Sequence, residues 1–305
     1  MLLKYPYFYD IVLSDFGRAA AVEYVQAVCD LEQKTIQRHF LSKDTAFYDE
    51  YRRIMFAVIA DLAYFKNRQI DAAVAKGKID SDILIGFKGQ PMPDDIRDRI
   101  SAAVLEQVYL ALNRGYQNIR IVIPCNTISE LGHHIYSLAT NPEKFSSILT
   151  EQAGISPSSP VFSLLAGAKF SLYSPPTLVI DEVRKTRKGK VTMLVFGTPL
   201  TVGIYQKHVS KLGLGDWLTV PALAPDEQEL VNQWIELSIA VDAALLDKLK
   251  EKIRSSIILP RQKDAGELVA IEACTDIRLG LGINSLDVLV ARSVNDAYGL
   301  DGSKL

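Results

Sequence analysis

The stretch Ile119-Arg-Ile-Val-Ile-Pro-Cys-Asn-Thr-Ile-Ser129 decides the fold class, because a run of β-branched residues ends abruptly in a polar turn. A short run rich in Val and Ile is typical of a buried strand in a parallel sheet. The same form, an apolar run followed by a short polar turn that holds a cysteine, recurs at Glu267–Gly280. The chain therefore has a coarse two-part symmetry, with one cysteine turn in each part.

Outward from these two stretches, short apolar runs alternate with longer segments of helical period. In Asp94–Gly115, apolar residues recur every three to four positions. Ala222–Ile239 and Ala243–Ser255 also predict helices, and residues 33–78 have a helical pattern. The predicted strands are Ile11–Leu13, Asp82–Gly86, Ile119–Ile123, Pro176–Ile180, Lys190–Phe196 and Glu267–Ala273. This alternation predicts an α/β protein with parallel sheets that are flanked by helices.

The composition is that of an ordinary globular chain, with 305 residues, 48% hydrophobic and 23% charged. A net charge of −2 provides no electrostatic attraction to nucleic acid or to an acidic membrane. No apolar run reaches the length of about 18 residues that a membrane span needs, and the first residues lack the pattern of a signal peptide. We therefore expect a cytoplasmic protein that binds neither nucleic acid nor membrane.

The three cysteines, Cys29, Cys125 and Cys274, are too few and too scattered for a disulfide framework. Because the sequence has neither a CxxC motif nor a Cys/His cluster, we expect no structural metal. Cys29 lies in an Ala-rich helical stretch and is expected to be a packing residue. Cys125 and Cys274 each follow a predicted strand, which is a position suited to chemistry.

The turn Cys125-Asn126-Thr127 places a thiol, an amide and a hydroxyl where ligands bind in open α/β sheets. Backbone N–H groups at the start of a following helix favour negative charge, so they would hold a carboxylate and lower the pKa of a thiol. The alternative interpretation is a buried structural cysteine.

Two later turns have a similar form. Cys274 is followed by Thr275 and Asp276, and Asp276 would either polarise a site or cap the turn. In the other turn, Thr198 or Thr201 would cap a helix whose N–H groups form an anion pocket. Any strand-to-helix turn can have this second form, so a purely structural role is the alternative.

Two polar stretches lie outside these turns. Ser14 and Asp15 follow the first predicted strand, and Asp15 would receive an amino group, orient a thiol or cap a helix. Arg97 and Arg99 would either clamp a second carboxylate or be surface charges of a helix.

Three motifs follow one another in a specific order: Pro-Cys125-Asn-Thr, then Gly197-Thr-Pro-Leu-Thr with Tyr205 four residues on, then Ala-Cys274-Thr-Asp. This succession resembles the aspartate/glutamate racemase superfamily. The run Gly189–Trp234 is also similar to that family, and Asn284–Tyr298 resembles the helix by which the family's chain returns to its first domain.

The resemblance implies two similar α/β domains, each a mostly parallel sheet flanked by helices, with the active site in the cleft between them. The first domain would comprise residues 1–165 and 280–305, and the second would comprise residues 166–279. Each domain would supply one catalytic cysteine. One, as a thiolate, would remove the substrate's α-proton, and the other would deliver a proton to the opposite face, with neither pyridoxal phosphate nor a metal as cofactor.

The resemblance also implies a set of substrate contacts. Carried over by position, the residues that would hold the α-carboxylate are Asn126, Thr127, Thr198 and Thr275. The full expected substrate-binding set is Ser14, Asp15, Asn126, Thr127, Thr198, Thr201, Thr275 and Asp276.

The sequence departs from the family at three points. Ser14-Asp15-Phe16-Gly17 stands where a Gly-Gly-rich or Asp-Ser-Gly turn is usual, Asp95 where aspartate racemases have Arg, and Asp276 where glutamate racemases have His. We therefore expect an acidic amino acid, such as aspartate or glutamate, as the small-molecule partner, with neither favoured.

Several alternatives stay open. Within the superfamily these are a dicarboxylate cis–trans isomerase, a hydantoin racemase and a ligand-binding member without activity. A dithiol redox role would need the two thiols within bonding distance. Residues 33–78 are longer than a simple crossover needs, which suits either a cover over a site or the contact of a homodimer.

Overall fold

The computed structural model describes residues 7–13, 18–39, 53–59, 94–126, 128–240, 243–264, 267–273 and 279–300. The chain divides into two compact units. Unit 1 comprises Met1–Pro124, Ile128–Ser174 and Val290–Leu305, and unit 2 comprises Cys125–Thr127 and Pro175–Leu289. Among the described residues, no helix is long and apolar enough to cross a membrane.

Unit 1 contains a four-stranded sheet in the order β2-β1-β3-β4, and all its strand pairs are parallel. Its strands are β1 Phe8–Leu13, β2 Ile54–Ile59, β3 Asn118–Val122 and β4 Lys169–Tyr173. Its helices are α1 Arg18–His39, α2 Asp94–Asn113, α3 Ser129–Ala139, α4 Pro142–Ala153 and the short α5 Val161–Leu164, which continues into a 3-10 turn at Leu165–Gly167.

Unit 2 contains a second four-stranded parallel sheet in the order β6-β5-β7-β8. Its strands are β5 Val191–Phe196, β6 Leu218–Thr219, β7 Glu267–Glu272 and β8 Ile283–Asn284. Its helices are α6 Pro175–Thr186, α7 Pro199–Lys211, α8 Pro225–Ala240, α9 Ala243–Ile253 and α10 Leu259–Asp264, with a π-helical turn at Arg254–Ile258 between the last two. Helix α11, Ser285–Tyr298, begins in unit 2 and ends in unit 1.

The two sheets share one topology. In each, the first strand in sequence lies second in the sheet, the second strand forms one edge, and the third strand lies between the first and the fourth. The predicted fold class, α/β with two similar parallel sheets flanked by helices, is therefore confirmed. The symmetry also makes β3 and β7 equivalent, as well as β1 and β5.

Strand β5 shows how the core of unit 2 is built. Met193 and Val195 pack in one apolar cluster, whereas Leu194 and Phe196 pack in another. Because successive side chains of a strand point to opposite faces, the two clusters lie on opposite faces of this sheet. A continuous apolar run in the sequence is thus explained by a strand that is covered on both sides.

Unit 1 contains a buried ion pair that fixes strand register. Asp10 of β1 lies opposite Arg120 of β3, and both side chains are almost fully buried. The Nε–H of Arg120 donates a hydrogen bond to Asp10 Oδ1 at 2.5 Å, and its Nη2–H donates one to Asp10 Oδ2 at 2.9 Å. Arg120 Nη1 also donates to the carbonyl of Ser293 at 2.7 Å, and Tyr24 Oη donates to Asp10 at 2.9 Å. These bonds join both central strands to helices α1 and α11.

Two sequence expectations about secondary structure are wrong. Pro176–Ile180 belongs to helix α6, because Pro175 and Pro176 suit a first helical turn and Val179, Ile180 and Val183 bury one helical face. The helical pattern of residues 33–78 is interrupted by strand β2. The predicted strand Asp82–Gly86 lies outside the described residues.

The division of the chain also falls elsewhere than the expected boundaries of residues 1–165 plus 280–305 and 166–279. The units divide between Ser174 and Pro175, because β4 pairs with β3 in the sheet of unit 1. The return to unit 1 begins at Val290, because β8 pairs with β7 and therefore belongs to unit 2.

Candidate functional site

The first cysteine turn begins where β3 leaves its sheet. The N–H of Ile123 donates to the carbonyl of Tyr173 at 2.9 Å and extends the pairing with β4 by one residue. Pro124 has no N–H group to continue the ladder, so the chain turns there. Cys125 follows as a half-buried thiol. The thiol thus lies just beyond the carboxyl end of an interior strand, as expected from the sequence.

Asn126 is much more constrained than its sequence position suggests. Its side chain is almost fully buried. Its Oδ1 accepts a hydrogen bond from Tyr205 Oη at 2.9 Å, and its Nδ2 donates to Ser285 Oγ at 3.1 Å. All three residues lie in unit 2. We call this set the Asn126 network. The predicted substrate-binding amide is therefore held at both of its polar atoms by other side chains.

Tyr205 is suited to this role because it is a donor that does not ionise. The side chain is fully buried within helix α7, and burial raises the pKa of Tyr205 far above its usual range. A neutral phenol remains an O–H donor to Asn126 at any physiological pH.

Thr198 and Thr201 form the start of helix α7. Thr198 is the N-cap, and its Oγ1 accepts from the backbone N–H of Thr201 at 3.3 Å and lies 3.1 Å from Thr201 Oγ1. Both side chains are nearly buried. The structural alternative for these hydroxyls thus has direct support, since they bond to each other and to the helix end.

The residue before Thr198, Gly197, is held by a side chain of helix α8. Gln228 Nε2 donates to the carbonyl of Gly197 at 2.9 Å and to Asn232 Oδ1 at 3.0 Å. A side chain at Gly197 would place its Cβ 3.0 Å from Thr201 Cγ2, which is tighter than an ordinary contact. A glycine here lets the strand end pack closely against the helix start.

The second cysteine turn begins where β7 leaves the sheet of unit 2. Ala273, the residue before Cys274, donates its N–H to the carbonyl of Phe196 at 2.9 Å. The register pairs Phe196 with Glu272. The ends of β5 and β7 are therefore neighbours in the sheet. Thr198 follows the end of β5 in the chain, and Cys274 follows the end of β7.

Glu272 holds the two ends of this second turn together. The side chain is almost fully buried, and Oε1 accepts from the N–H of Leu281 at 2.9 Å. Its Oε2 accepts from Asn284 Nδ2 at 3.4 Å. Gly282 directly precedes β8 and lets the chain there approach β7 closely, because a Cβ at this position would lie 2.1 Å from the carbonyl oxygen of Ala270. The ends of the turn are thus tightly defined.

Several predicted site residues lie outside the described residues. These are Ser14, Asp15, Thr127, Cys274, Thr275 and Asp276. Arg97 was, with Arg99, a candidate clamp for a second carboxylate. In the structure it forms an exposed ion pair with Asp98 at 3.2 Å. Among the described residues, no group of three or more His, Cys, Asp or Glu side chains is placed to hold a metal ion.

Two cavities of unit 1 lie where the strands of its sheet begin, whereas Cys125 follows the carboxyl end of β3. One, of about 410 Å³, is lined by Tyr7 and Asn118, where β1 and β3 begin. The other, of about 210 Å³, is lined by Ala168 and Phe170, where β4 begins. Ligands of open α/β sheets bind at the carboxyl ends of the strands, so neither cavity is a candidate for the reaction site.

Sequence reasoning missed three residues that shape the turns: Tyr205, Ser285 and Glu272. Tyr205 belonged to a recognised motif, but no pattern indicated its partner. A glutamate at the end of an otherwise apolar strand was a signal that could have identified Glu272, because a buried carboxylate needs hydrogen-bond donors.

Solved structures of other proteins resemble this chain over almost their whole length. A crystal structure of a candidate Asp/Glu racemase from Yersinia pestis matches with a TM-score of 0.53 and 12% identity, covering 96% of this chain and 99% of that one. An aspartate racemase homologue from Pyrococcus horikoshii matches with a TM-score of 0.51 and 18% identity, covering 95% of this chain and 98% of that one. The resemblance found in the sequence is therefore confirmed at the level of the fold.

No protein-family model matches the sequence, and no curated protein matches it.

Proposed function

We propose that this chain is a racemase for an acidic amino acid or a similar α-carboxylate, with Cys125 and Cys274 as its two acid/base groups. The observation that carries the proposal is the shared topology of the two sheets. Cys125 follows β3 and Cys274 follows β7, and these strands occupy the same place in their respective sheets. The fold likeness to Asp/Glu racemase structures supports the same assignment.

Two thiols in equivalent places suit a reaction that must serve two faces of one carbon atom. One cysteine, as thiolate, takes the proton from the substrate's α-carbon, and the other, as thiol, gives a proton to the opposite face. The reaction breaks one C–H bond and one S–H bond and forms one of each, so no electron donor or acceptor is required. In the reverse direction the two cysteines exchange roles.

The α-proton of an amino acid is very weakly acidic, so the carbanion needs stabilisation. Hydrogen-bond donors that are fixed in advance, at the place where negative charge develops, supply this most effectively. The start of helix α7 and the turn after Cys125 offer such donors, and a substrate carboxylate beside them would share its developing charge with backbone N–H groups. We assign Asn126, Thr127, Thr198 and Thr275 to this role, with Ser14, Asp15, Thr201 and Asp276 as further substrate contacts.

The test is α-proton exchange in D2O, read by NMR, together with chiral chromatography. The purified protein is incubated with both enantiomers of aspartate and glutamate, with maleate and with a 5-substituted hydantoin. We expect enantiomer formation from at least one amino acid, and a loss of about 10²- to 10⁴-fold in Cys125→Ser and in Cys274→Ser, as is usual when an acid/base group is removed.

Cys29→Ser is the matched control. Cys29 is a half-buried thiol in helix α1 of unit 1, and its replacement should leave the rate unchanged. Turnover that survives in both Cys125→Ser and Cys274→Ser would refute the two-cysteine mechanism. Conversion of maleate or of the hydantoin alone would assign the same site to one of the related isomerases, and saturable binding without exchange would indicate a binding protein.

A further inference from the structure

We propose that Tyr205 and Ser285 are positioning residues for the Cys125 turn, and that both act through Asn126. The inference rests on the proposed function, because it assigns these residues a part in proton transfer at Cys125. Neither residue is expected to contact the substrate.

The first step of the argument is the isolation of the Tyr205 hydroxyl. Tyr205 is fully buried, and its hydroxyl donates to Asn126 Oδ1 at 2.9 Å. Among the described residues this is the one hydrogen bond that the hydroxyl makes. The ring packs in an apolar cluster with Val202 and Val209, a position that phenylalanine would fill equally well. The hydroxyl is thus explained by Asn126 alone.

The second step is that Ser285 is not needed to cap its own helix. Asn284 Oδ1 accepts from the backbone N–H groups of Leu286 at 2.9 Å and Asp287 at 3.3 Å, so Asn284 caps the start of helix α11. The side chain of Ser285 is buried and accepts from Asn126 Nδ2 at 3.1 Å. Its hydroxyl is therefore also directed to Asn126.

The third step concerns what the Asn126 network does to the turn. A buried amide that loses its partners has a high desolvation cost, so the turn is held in the conformation that keeps both bonds. Asn126 adjoins Cys125 in the chain, and fixing one side chain limits how far the neighbouring backbone can move. Proton transfer depends steeply on distance, and a misplacement of about 1 Å can lower a rate by about 100-fold.

The fourth step concerns the remaining donor of Asn126. One amide hydrogen is bonded to Ser285, and Oδ1 is bonded to Tyr205. The second amide hydrogen is left without an acceptor among the described residues. The hydrogen bond from Tyr205 polarises the amide, which strengthens that remaining donor. Asn126 would thus offer the substrate one oriented N–H group rather than a freely rotating amide.

The experiment is a double-mutant cycle on the full-length protein. Tyr205→Phe, Ser285→Ala and Asn126→Ala are made singly, and Tyr205→Phe and Ser285→Ala are each combined with Asn126→Ala. We expect Tyr205→Phe to lower kcat by about 10- to 100-fold with a smaller change in KM, because it misplaces Cys125 rather than removing a substrate contact. In the Asn126→Ala background, the further loss should be no more than about twofold, since residues that act as a unit are not additive.

Tyr109→Phe is the matched control. The hydroxyl of Tyr109 lies 3.0 Å from Ser159 Oγ, in a partly buried tyrosine–serine pair of unit 1, and its removal should leave kcat unchanged. If Tyr205→Phe equals this control, or if its effect is fully additive with that of Asn126→Ala, the inference is wrong.

A second readout is independent of racemase activity. The rate at which iodoacetamide alkylates Cys125 is measured by peptide mass spectrometry, with Cys29 as the internal reference. Loss of one buried hydrogen bond should raise the Cys125 rate by roughly fivefold to tenfold, while the Cys29 rate stays constant. If the wild-type protein racemises nothing, the proposed function fails, and the alkylation rates alone decide whether Tyr205 positions the turn. An unchanged Cys125 rate in Tyr205→Phe would then overturn the inference.

Discussion

Replacing Asp10 by alanine should destabilise unit 1 severely. The carboxylate is fully buried and accepts two hydrogen bonds from Arg120 and one from Tyr24. Without it, the guanidinium of Arg120 stays in the core with its charge unbalanced, because arginine cannot release its proton. Removing one partner of a buried ion pair costs about 3–5 kcal/mol, and we expect Asp10→Ala to fall in that range.

Replacing the other partner, in Arg120→Met, should lower the free energy of unfolding by less than the size of the removed side chain suggests. Burial raises the pKa of Asp10, and Arg120 opposes this. In Arg120→Met the opposing charge is absent, so the carboxyl can take up a proton and become neutral. The double variant, Asp10→Ala with Arg120→Met, should lose about 1–3 kcal/mol less than the sum of the single losses, which measures the coupling.

Equilibrium unfolding in urea can separate the two units. Both tryptophans, Trp217 and Trp234, lie in unit 2, so fluorescence follows unit 2 while far-UV circular dichroism follows both units. Asp10→Ala should shift the dichroism transition and leave the fluorescence transition in place.

Asp98→Ala is the matched control for Asp10→Ala, because Asp98 pairs with Arg97 on the surface. Its loss should be about 0–1 kcal/mol. If Asp10→Ala costs no more than Asp98→Ala, the buried pair does not stabilise the sheet of unit 1, and the argument about strand register fails.

Two further predictions concern unit 2. Gly282→Ala should destabilise it by about 1–3 kcal/mol or more, because the new Cβ would lie 2.1 Å from the backbone oxygen of Ala270. Gly189→Ala, where a Cβ meets nothing within 4 Å, should be nearly neutral, and equal fluorescence midpoints for the two would contradict the prediction. The hydrogen bond from Arg261, together with that from the N–H of Ala224, lowers the pKa of Glu227 from its usual 4.5, although partial burial acts the other way. Stability from Glu227 is thus present above pH 4.5 and lost as pH falls through the lowered pKa. Relative to wild type, Glu227→Gln should therefore be less stable at pH 7, with the difference shrinking below pH 4.5; a difference independent of pH would show that the ion pair contributes nothing.

The sequence determined the fold class and the location of the first cysteine turn. Apolar runs in alternation with helical segments are local signals, and they identified β3, β5 and β7 at nearly their observed bounds. For β1 they identified only the second half, because the predicted strand began at Ile11 and the observed one begins at Phe8. The end of β3 and the cysteine after it could be located because Pro124 stops the strand by its covalent structure alone. The equivalence of β3 and β7, the strands that precede the two cysteines, was likewise visible in the sequence as a repeated pattern.

Short apolar runs were less informative. The stretch Pro176–Ile180 could be buried as a strand or as one face of a helix, and five residues are too few for periodicity to separate the two. Strand β2 was hidden in a helical pattern, because its place depends on pairing with β1 rather than on its own sequence.

Only the tertiary structure decided what surrounds the first cysteine. The hydrogen-bond partners of Asn126 are 79 and 159 residues away along the chain, and Asp10 meets Arg120 across 110 residues. Local propensity reports which backbone conformation a segment prefers. It carries no information about which distant side chain will be the hydrogen-bond partner of a buried donor or acceptor. That choice is made when the sheets and helices pack, because burial then makes every unsatisfied polar atom costly.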